Sequence, residues 1–140
     1  MLRNIPAVLS PEIVYALMRM GHGDTLVIAD ANFPGHTMND HVIRADGLNV
    51  PELLDAILQL MPLDPYNSWQ VGLMDTVEGD PQPEIWKEYT RILDERNPEY
   101  VVKKFERFAF YDESKKASTV IMSGETALYA NIILTKGVIV

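Results

Sequence analysis

A chain of 140 residues is the size of one compact domain and long enough to bury about two thirds of the surface its unfolded form would expose. With 47% apolar and 23% charged residues and ordinary use of glycine and proline, it has a soluble globular composition that excludes disorder and collagen-like repeats. Twelve basic against 20 acidic residues give a formal charge of −8, which disfavours nucleic acid and anionic membrane surfaces, and the lack of cysteine removes disulfides, thiolate nucleophiles and thiolate metal sites.

Ser10-Pro11-Glu12 supplies a capping hydroxyl, a proline for the first helical position and an acid for the first turn. Ile13, Val14, Leu17 and Met18 follow at helical spacing, and Gly21 is expected to stop this first helix. Leu26-Val27-Ile28 is a short continuous apolar run that suits a strand buried on both faces. A second helix is opened by Pro51, carries Leu53, Leu54, Ile57, Leu58 and Met61, and ends at Pro62. The stretch from Pro62 to Asn67 and the one from Gly79 to Pro83 read as surface loops. Strands are expected at Val71 to Met74, Tyr100 to Phe105, Thr119 to Met122 and Asn131 to Leu134. A third helix is expected from about Glu84 to Arg96, with Ile85, Tyr89, Ile92 and Leu93 inward.

Helices that alternate with apolar strands predict one undivided α/β domain over residues 1–140, with three layers and a mixed or mainly parallel sheet covered on both faces. Charges interrupt every apolar stretch well short of the ~20 residues a membrane span requires. The segment around Arg3 and Glu12 does not read as a secretory signal, so a cytoplasmic location is expected.

Four segments could carry chemistry. In Gly21-His22-Gly23-Asp24 the flanking glycines leave the imidazole uncrowded, a setting for an acid/base group that titrates near neutrality; the alternative is a helix-ending turn with an exposed histidine. Asp30 follows the core strand, where ligands bind in open α/β sheets, and could grip sugar hydroxyls or simply cap its own turn. Arg107-Phe108-Ala109-Phe110-Tyr111 and the stretch from Gly124 to Asn131 bring fixed donors, phenols and an amide suited to a neutral polyhydroxylated ring. Phe108 and Phe110 are expected in the core, and Tyr111 and Tyr129 could be ordinary half-buried tyrosines. His36, Asp40 and His41 lack a ligand spacing that would gather them on one helix face and are expected to be solvated loop side chains, not metal ligands.

Taken in order, Met20-Gly-His-Gly-Asp24, Asp30-Ala-Asn-Phe-Pro34, Val42-Ile-Arg-Ala-Asp-Gly47, Val77-Glu-Gly-Asp80, Arg107-Phe-Ala-Phe-Tyr111 and Tyr129-Ala-Asn-Ile-Ile-Leu134 resemble the L-fucose mutarotase family over nearly the whole chain. The related D-ribose pyranase family shares Gly-His-Gly-Asp and the late Tyr-x-Asn, but typically has a histidine at the position of Arg107. The resemblance implies a D-ribose pyranase-like fold and an isomerase that interconverts the anomers of L-fucose without metal or cofactor, with D-ribose and related monosaccharides as side substrates. His22 falls on the family's proton donor, Tyr111 on a tyrosine given an acid/base role, and Asp30, Arg107, Tyr129 and Asn131 on sugar-binding positions. It further implies a homo-oligomer, a decamer or smaller. If residues 22 to 30 were extended, His22 and Asp30 would stand about 26 Å apart at roughly 3.3 Å per residue, so either the segment bends or two chains complete each site. The rival readings are a non-catalytic sugar-binding protein, which would not need His22, and a subunit of a larger assembly acting through an exposed apolar surface.

Overall fold

The computed structural model describes residues 1–140. In chain order its elements are α1 (Pro11–Arg19), β1 (Thr25–Ala29), α2 (Gly35–Met38), β2 (Val42–Ala45), α3 (Val50–Leu58), β3 (Val71–Met74), α4 (Ile85–Arg96), β4 (Val102–Phe105), α5 (Arg107–Lys116), β5 (Thr119–Ser123) and β6 (Ile132–Thr135). Local chemistry sets the helix starts. The Ser10 hydroxyl accepts the Ile13 amide at the head of α1, and Asn49 and Glu52 exchange side-chain and backbone hydrogen bonds at the head of α3. The Glu106 carboxylate accepts the amides of Phe108 and Ala109 at the head of α5.

The six strands lie in the order β2-β5-β1-β6-β3-β4. Parallel pairs are β2 with β5, β5 with β1, and β3 with β4; β6 runs antiparallel to both β1 and β3. Because side chains alternate across a strand, each central strand feeds two cores. Leu26 and Ile28 of β1 join Ile121, Ile132, Leu134, Val71 and Leu73 beneath α1, α3 and α4. Val27 and Ala29 join Val120, Met122 and Ile133 on the other face, with Phe33, Phe105 and Phe110. This two-sided burial explains why β1 and β5 read as unbroken apolar runs. Each fully buried Leu or Ile contributes about 1.5–3 kcal/mol, so these two cores supply much of the stability of the fold.

The topology decides what meets at each rim of the sheet. Ile28 and Leu73 both pair with Ile132, and Met74 pairs with Phe105. The ends of β1, β3 and β4 therefore share one rim with the start of β6. The opposite rim holds the turn before β1, where the amide of Gly23 donates to the Lys136 carbonyl, and the amide of Asp64, which donates to the Thr135 carbonyl.

Several expectations need correction. α1 ends at Arg19 on an extended Met20, and it is Gly23, with φ +85°, that takes the left-handed backbone of the turn in place of a stop at Gly21. Phe110 is fully buried, but Phe108 is 63% exposed, because on α5 the two residues lie on different faces. The loop from Pro62 to Asn67 is not wholly a surface loop: Leu63 and Asp64 are buried. Strand β2 and helices α2 and α5 were not among the expected elements. Residues 22 to 30 turn before the strand begins, so the 26 Å span is too long; the five residues of β1 alone still separate the rims by roughly 16 Å at about 3.3 Å per residue. His36, Asp40 and His41 are exposed. No helix is long and apolar enough to cross a membrane.

Candidate active site

Asp30 leaves the end of β1 with its backbone amide donating to Asn131 Oδ1 at 2.7 Å, while Asn131 Nδ2 donates to Asp30 Oδ2 at 2.9 Å. Its other oxygen accepts the Asn32 amide at 2.9 Å. Asp30 thus caps its own turn and also lines the cavity at the rim. Burial pushes its pKa above the ordinary 3.8, and the charge of Glu125 adds to this, against the lowering effect of the hydrogen bonds from Asn32, Asn131 and Phe33.

Arg107 and Tyr111 stand one turn apart on α5, and Arg107 Nε donates to the Tyr111 hydroxyl at 3.1 Å. The guanidinium lies 5.5 Å from the centre of the Tyr111 ring, whose edge-on partner is Phe33 at 5.6 Å. Tyr129 has φ +57°, a left-handed backbone costly for a bulky residue. Helix α4 supports it: Trp86 Nε1 donates to the Tyr129 carbonyl at 2.9 Å, and the Tyr89 hydroxyl donates to the Ala130 carbonyl at 2.6 Å. Burial, with the nearby charges of Glu125, Asp30 and Glu88, raises the Tyr89 pKa and keeps it a neutral donor.

Asp30, Arg107, Tyr111, Tyr129 and Asn131 line one cavity of about 590 Å³. A carboxylate, an amide, a guanidinium and two phenols facing one concave space suit a small ring with many hydroxyls. His22 is not among them. It lies at the other rim, in a separate cleft of about 340 Å³ with Asp64, Tyr66, Asn67 and Thr135. There its Nε2 is 2.9 Å from Asp64 Oδ1, its side chain is 46% exposed, and its ring meets that of Tyr66 edge-on at 5.6 Å. Burial pushes the Asp64 pKa up, but the hydrogen bond from His22, the Tyr66 amide and the His22 charge outweigh it, and the pKa is lowered.

Two residues that contact candidate site residues have no role in the sequence reading, although Asp80 closes the Val77-Glu-Gly-Asp80 segment of the resemblance. Asp64 sits 42 positions from His22 and Asp80 49 positions from Tyr129, whose hydroxyl donates to it. Neither contact can be read locally, since an aspartate in a Pro/Asp-rich loop carries a turn signal with or without a distant partner.

A family model described as the RbsD / FucU transport protein family matches residues 3–139. The fucose mutarotase of Mus musculus is 50% identical over 143 residues, covering 97% of this chain and 94% of the relative. That of Homo sapiens is 48% identical over 145 residues, covering 99% and 94%. Among solved structures, the fucose mutarotase in complex with L-fucose from Streptococcus pneumoniae matches with a TM-score of 0.96 and 46% identity, covering 99% of this chain and all of that one. The shared sheet, the cavity at its rim and the full-length sequence match together show that this chain belongs to the RbsD / FucU family.

Proposed function

We propose that the chain is a fucose mutarotase, an isomerase that interconverts the α and β anomers of L-fucopyranose. The observation that carries this reading is the convergence of Asp30, Arg107, Tyr111, Tyr129 and Asn131 on one cavity in a chain about half identical to fucose mutarotases.

In the proposed reaction the anomeric hydroxyl loses its proton as the C1–O5 bond breaks, and O5 gains one. The free aldehyde turns about C1–C2, and O5 attacks its other face with the two transfers reversed. Two positioned acid/base groups meet the whole demand, and we assign them to His22 and Tyr111. Asp30, Arg107, Tyr129 and Asn131 hold the remaining hydroxyls and the ring, which turns a random encounter with water into an oriented transfer. Asp64 holds the His22 ring in orientation through its contact with Nε2 at 2.9 Å.

Because β1 separates His22 from the cavity, we infer that the site is shared: His22 and Asp64 of one copy face the cavity of another, in a homo-oligomer. The cytoplasm is the proposed location, which the lack of cysteine fits. D-ribose and related monosaccharides are proposed as side substrates.

Saturation-transfer NMR of anomer exchange on L-fucose and D-ribose tests the reaction, and wild-type protein that accelerates neither would leave the sugar-binding reading in its place. Mixing tests the shared site. His22→Gln and Asp30→Ala are each expected to be inactive, and hybrid oligomers that contain both are expected to regain activity in the sites that receive one intact half from each chain. Full activity in a strictly monomeric preparation would overturn the sharing.

A further inference from the structure

The Tyr129 hydroxyl is already committed on both sides. It donates to Asp80 Oδ2 at 2.5 Å and accepts the Val77 amide at 3.3 Å. Both partners belong to the loop that follows β3, whose Thr76, Val77 and Glu78 form a wall of the cavity. Asp80 does not line that cavity; it lies in an adjoining cleft of about 320 Å³ with Pro81, Pro83 and Ile85, and Leu128 and Tyr129 are the partition between the two spaces.

A phenol has one proton to give. An ionised carboxylate is a stronger acceptor than a sugar hydroxyl and has no proton to offer in return. Turning the Tyr129 proton toward a ligand would therefore exchange a charge-assisted bond for a neutral one and leave the Asp80 carboxylate without its donor. The Asp80 bond is also the first cause of the raised pKa of Tyr129, which keeps the phenol protonated as the donor to Asp80.

We propose that Asp80 is a positioning residue of the sugar site: by taking the Tyr129 proton it makes Tyr129 a fixed ring wall tied to the loop of residues 75–80, and not a hydroxyl donor to the sugar. This inference rests on the mutarotase reading and assigns Tyr129 its manner of contact. It also gives the left-handed backbone of Tyr129 a use, since α4 fixes the main chain and Asp80 fixes the tip of the side chain.

A double-mutant cycle decides it. KM and kcat for L-fucose anomer exchange are measured for wild type, Asp80→Ala, Tyr129→Phe and the double variant. Each single change is expected to raise KM roughly tenfold, the scale of one charge-assisted hydrogen bond, with kcat nearly unchanged, and the double variant is expected to match the singles. Asp80→Asn, whose carbonyl still accepts the phenol proton, is expected to keep KM near wild type. If the effects of Asp80→Ala and Tyr129→Phe on KM multiply, the hydroxyl touches the sugar directly and the proposal fails. A fall in kcat at constant KM, or no effect of Asp80→Ala, also overturns it. Should Asp80→Ala not fold, Asp80→Leu, which fills the same space without an acceptor, takes its place in the cycle, with the same non-additivity required. A wild type without exchange activity refutes the mutarotase reading instead, and the cycle is then run on L-fucose affinity by calorimetry, where additive losses overturn the proposal and non-additive losses support it.

Discussion

The two rims joined by β1 each hold a buried aspartate, and the two are shifted in opposite directions. Asp30 is surrounded by uncharged donors, the Asn32 and Phe33 amides and the Asn131 side chain, and burial prevails, so its pKa is raised. Asp64 is paired with a ring that can carry charge, and its hydrogen bonds together with that charge outweigh burial. A carboxylate with a raised pKa is a more basic acceptor, suited to gripping hydroxyls; one with a lowered pKa stays ionised beside an imidazole that gains a proton. In the proposed site the Asp30 rim holds the sugar and brings one acid/base group, Tyr111, and the opposite rim brings the other, His22. This division is the physical content of the shared-site proposal.

The change that should break the comparison most sharply is His22→Gln. It removes the proposed acid/base group and leaves the cavity untouched, so anomer exchange is expected to fall about 10²–10⁴-fold while L-fucose affinity stays at its wild-type value. Exchange measured by NMR beside affinity by calorimetry separates the two, and a parallel loss of both would return His22 to the binding machinery. Asp64→Asn is the milder version, because the ring remains but its orienting charge is gone; kcat is expected to fall less than in His22→Gln, with KM near wild type.

Asn131→Ala attacks the holding rim. It strips a partner from the buried Asp30 amide and from Asp30 Oδ2 together. Thermal unfolding should show a loss of about 1–3 kcal/mol, accompanied by weaker sugar binding, and an unaltered unfolding temperature would contradict the buried clasp.

Acid titration of stability gives a smaller effect with a definite sign. Because the Asp64 pKa lies below 3.8 in the folded state, its contribution is complete above that value and is lost as pH falls through the folded pKa. For Asp30 the folded pKa lies above 3.8, so its ionisation costs stability as pH rises from 3.8 through the folded value. Unfolding temperatures against pH should therefore fall less steeply on the acid side in Asp64→Asn than in wild type, and Asp30→Asn should remove a loss on the rising side. Identical profiles in all three proteins would mean that neither environment differs from water. The smallest effect is expected for Phe108→Ser, where the side chain is 63% exposed: within about 0.5 kcal/mol for the isolated fold. A larger change that depends on protein concentration would reveal that another chain covers Phe108.

Most of the sheet was legible because burial on both faces leaves an unmistakable pattern: Leu26-Val27-Ile28 and Val71 to Met74 have no polar residue to offer solvent. β2 escaped because it is an edge strand whose Val42 and Ile43 are only half covered and whose Arg44 is exposed. Helix α5 escaped because it buries only Phe110 and Ser114 and so presents no apolar stripe, and its cap is the glutamate Glu106. The residues around the cavity could be named from the resemblance, but their division between two rims depends on strand order. That order is set by pairings such as Ile28 with Ile132, more than 100 positions apart. Asp64 and Asp80 depend on contacts of the same long-range kind.

Strand β6 comes latest in the chain yet sits in the middle of the sheet, between β1 and β3. Without it the β2-β5-β1 and β3-β4 groups share no strand pairing. A chain that has placed β5 but not yet β6 would therefore have two groups of strands with facing edges open, the kind of edge that invites pairing with other chains. Tyr129 and Asn131 immediately precede β6, so the insertion that closes those edges also completes the cavity. A ligand of the cavity should therefore stabilise only molecules in which β6 is already in place.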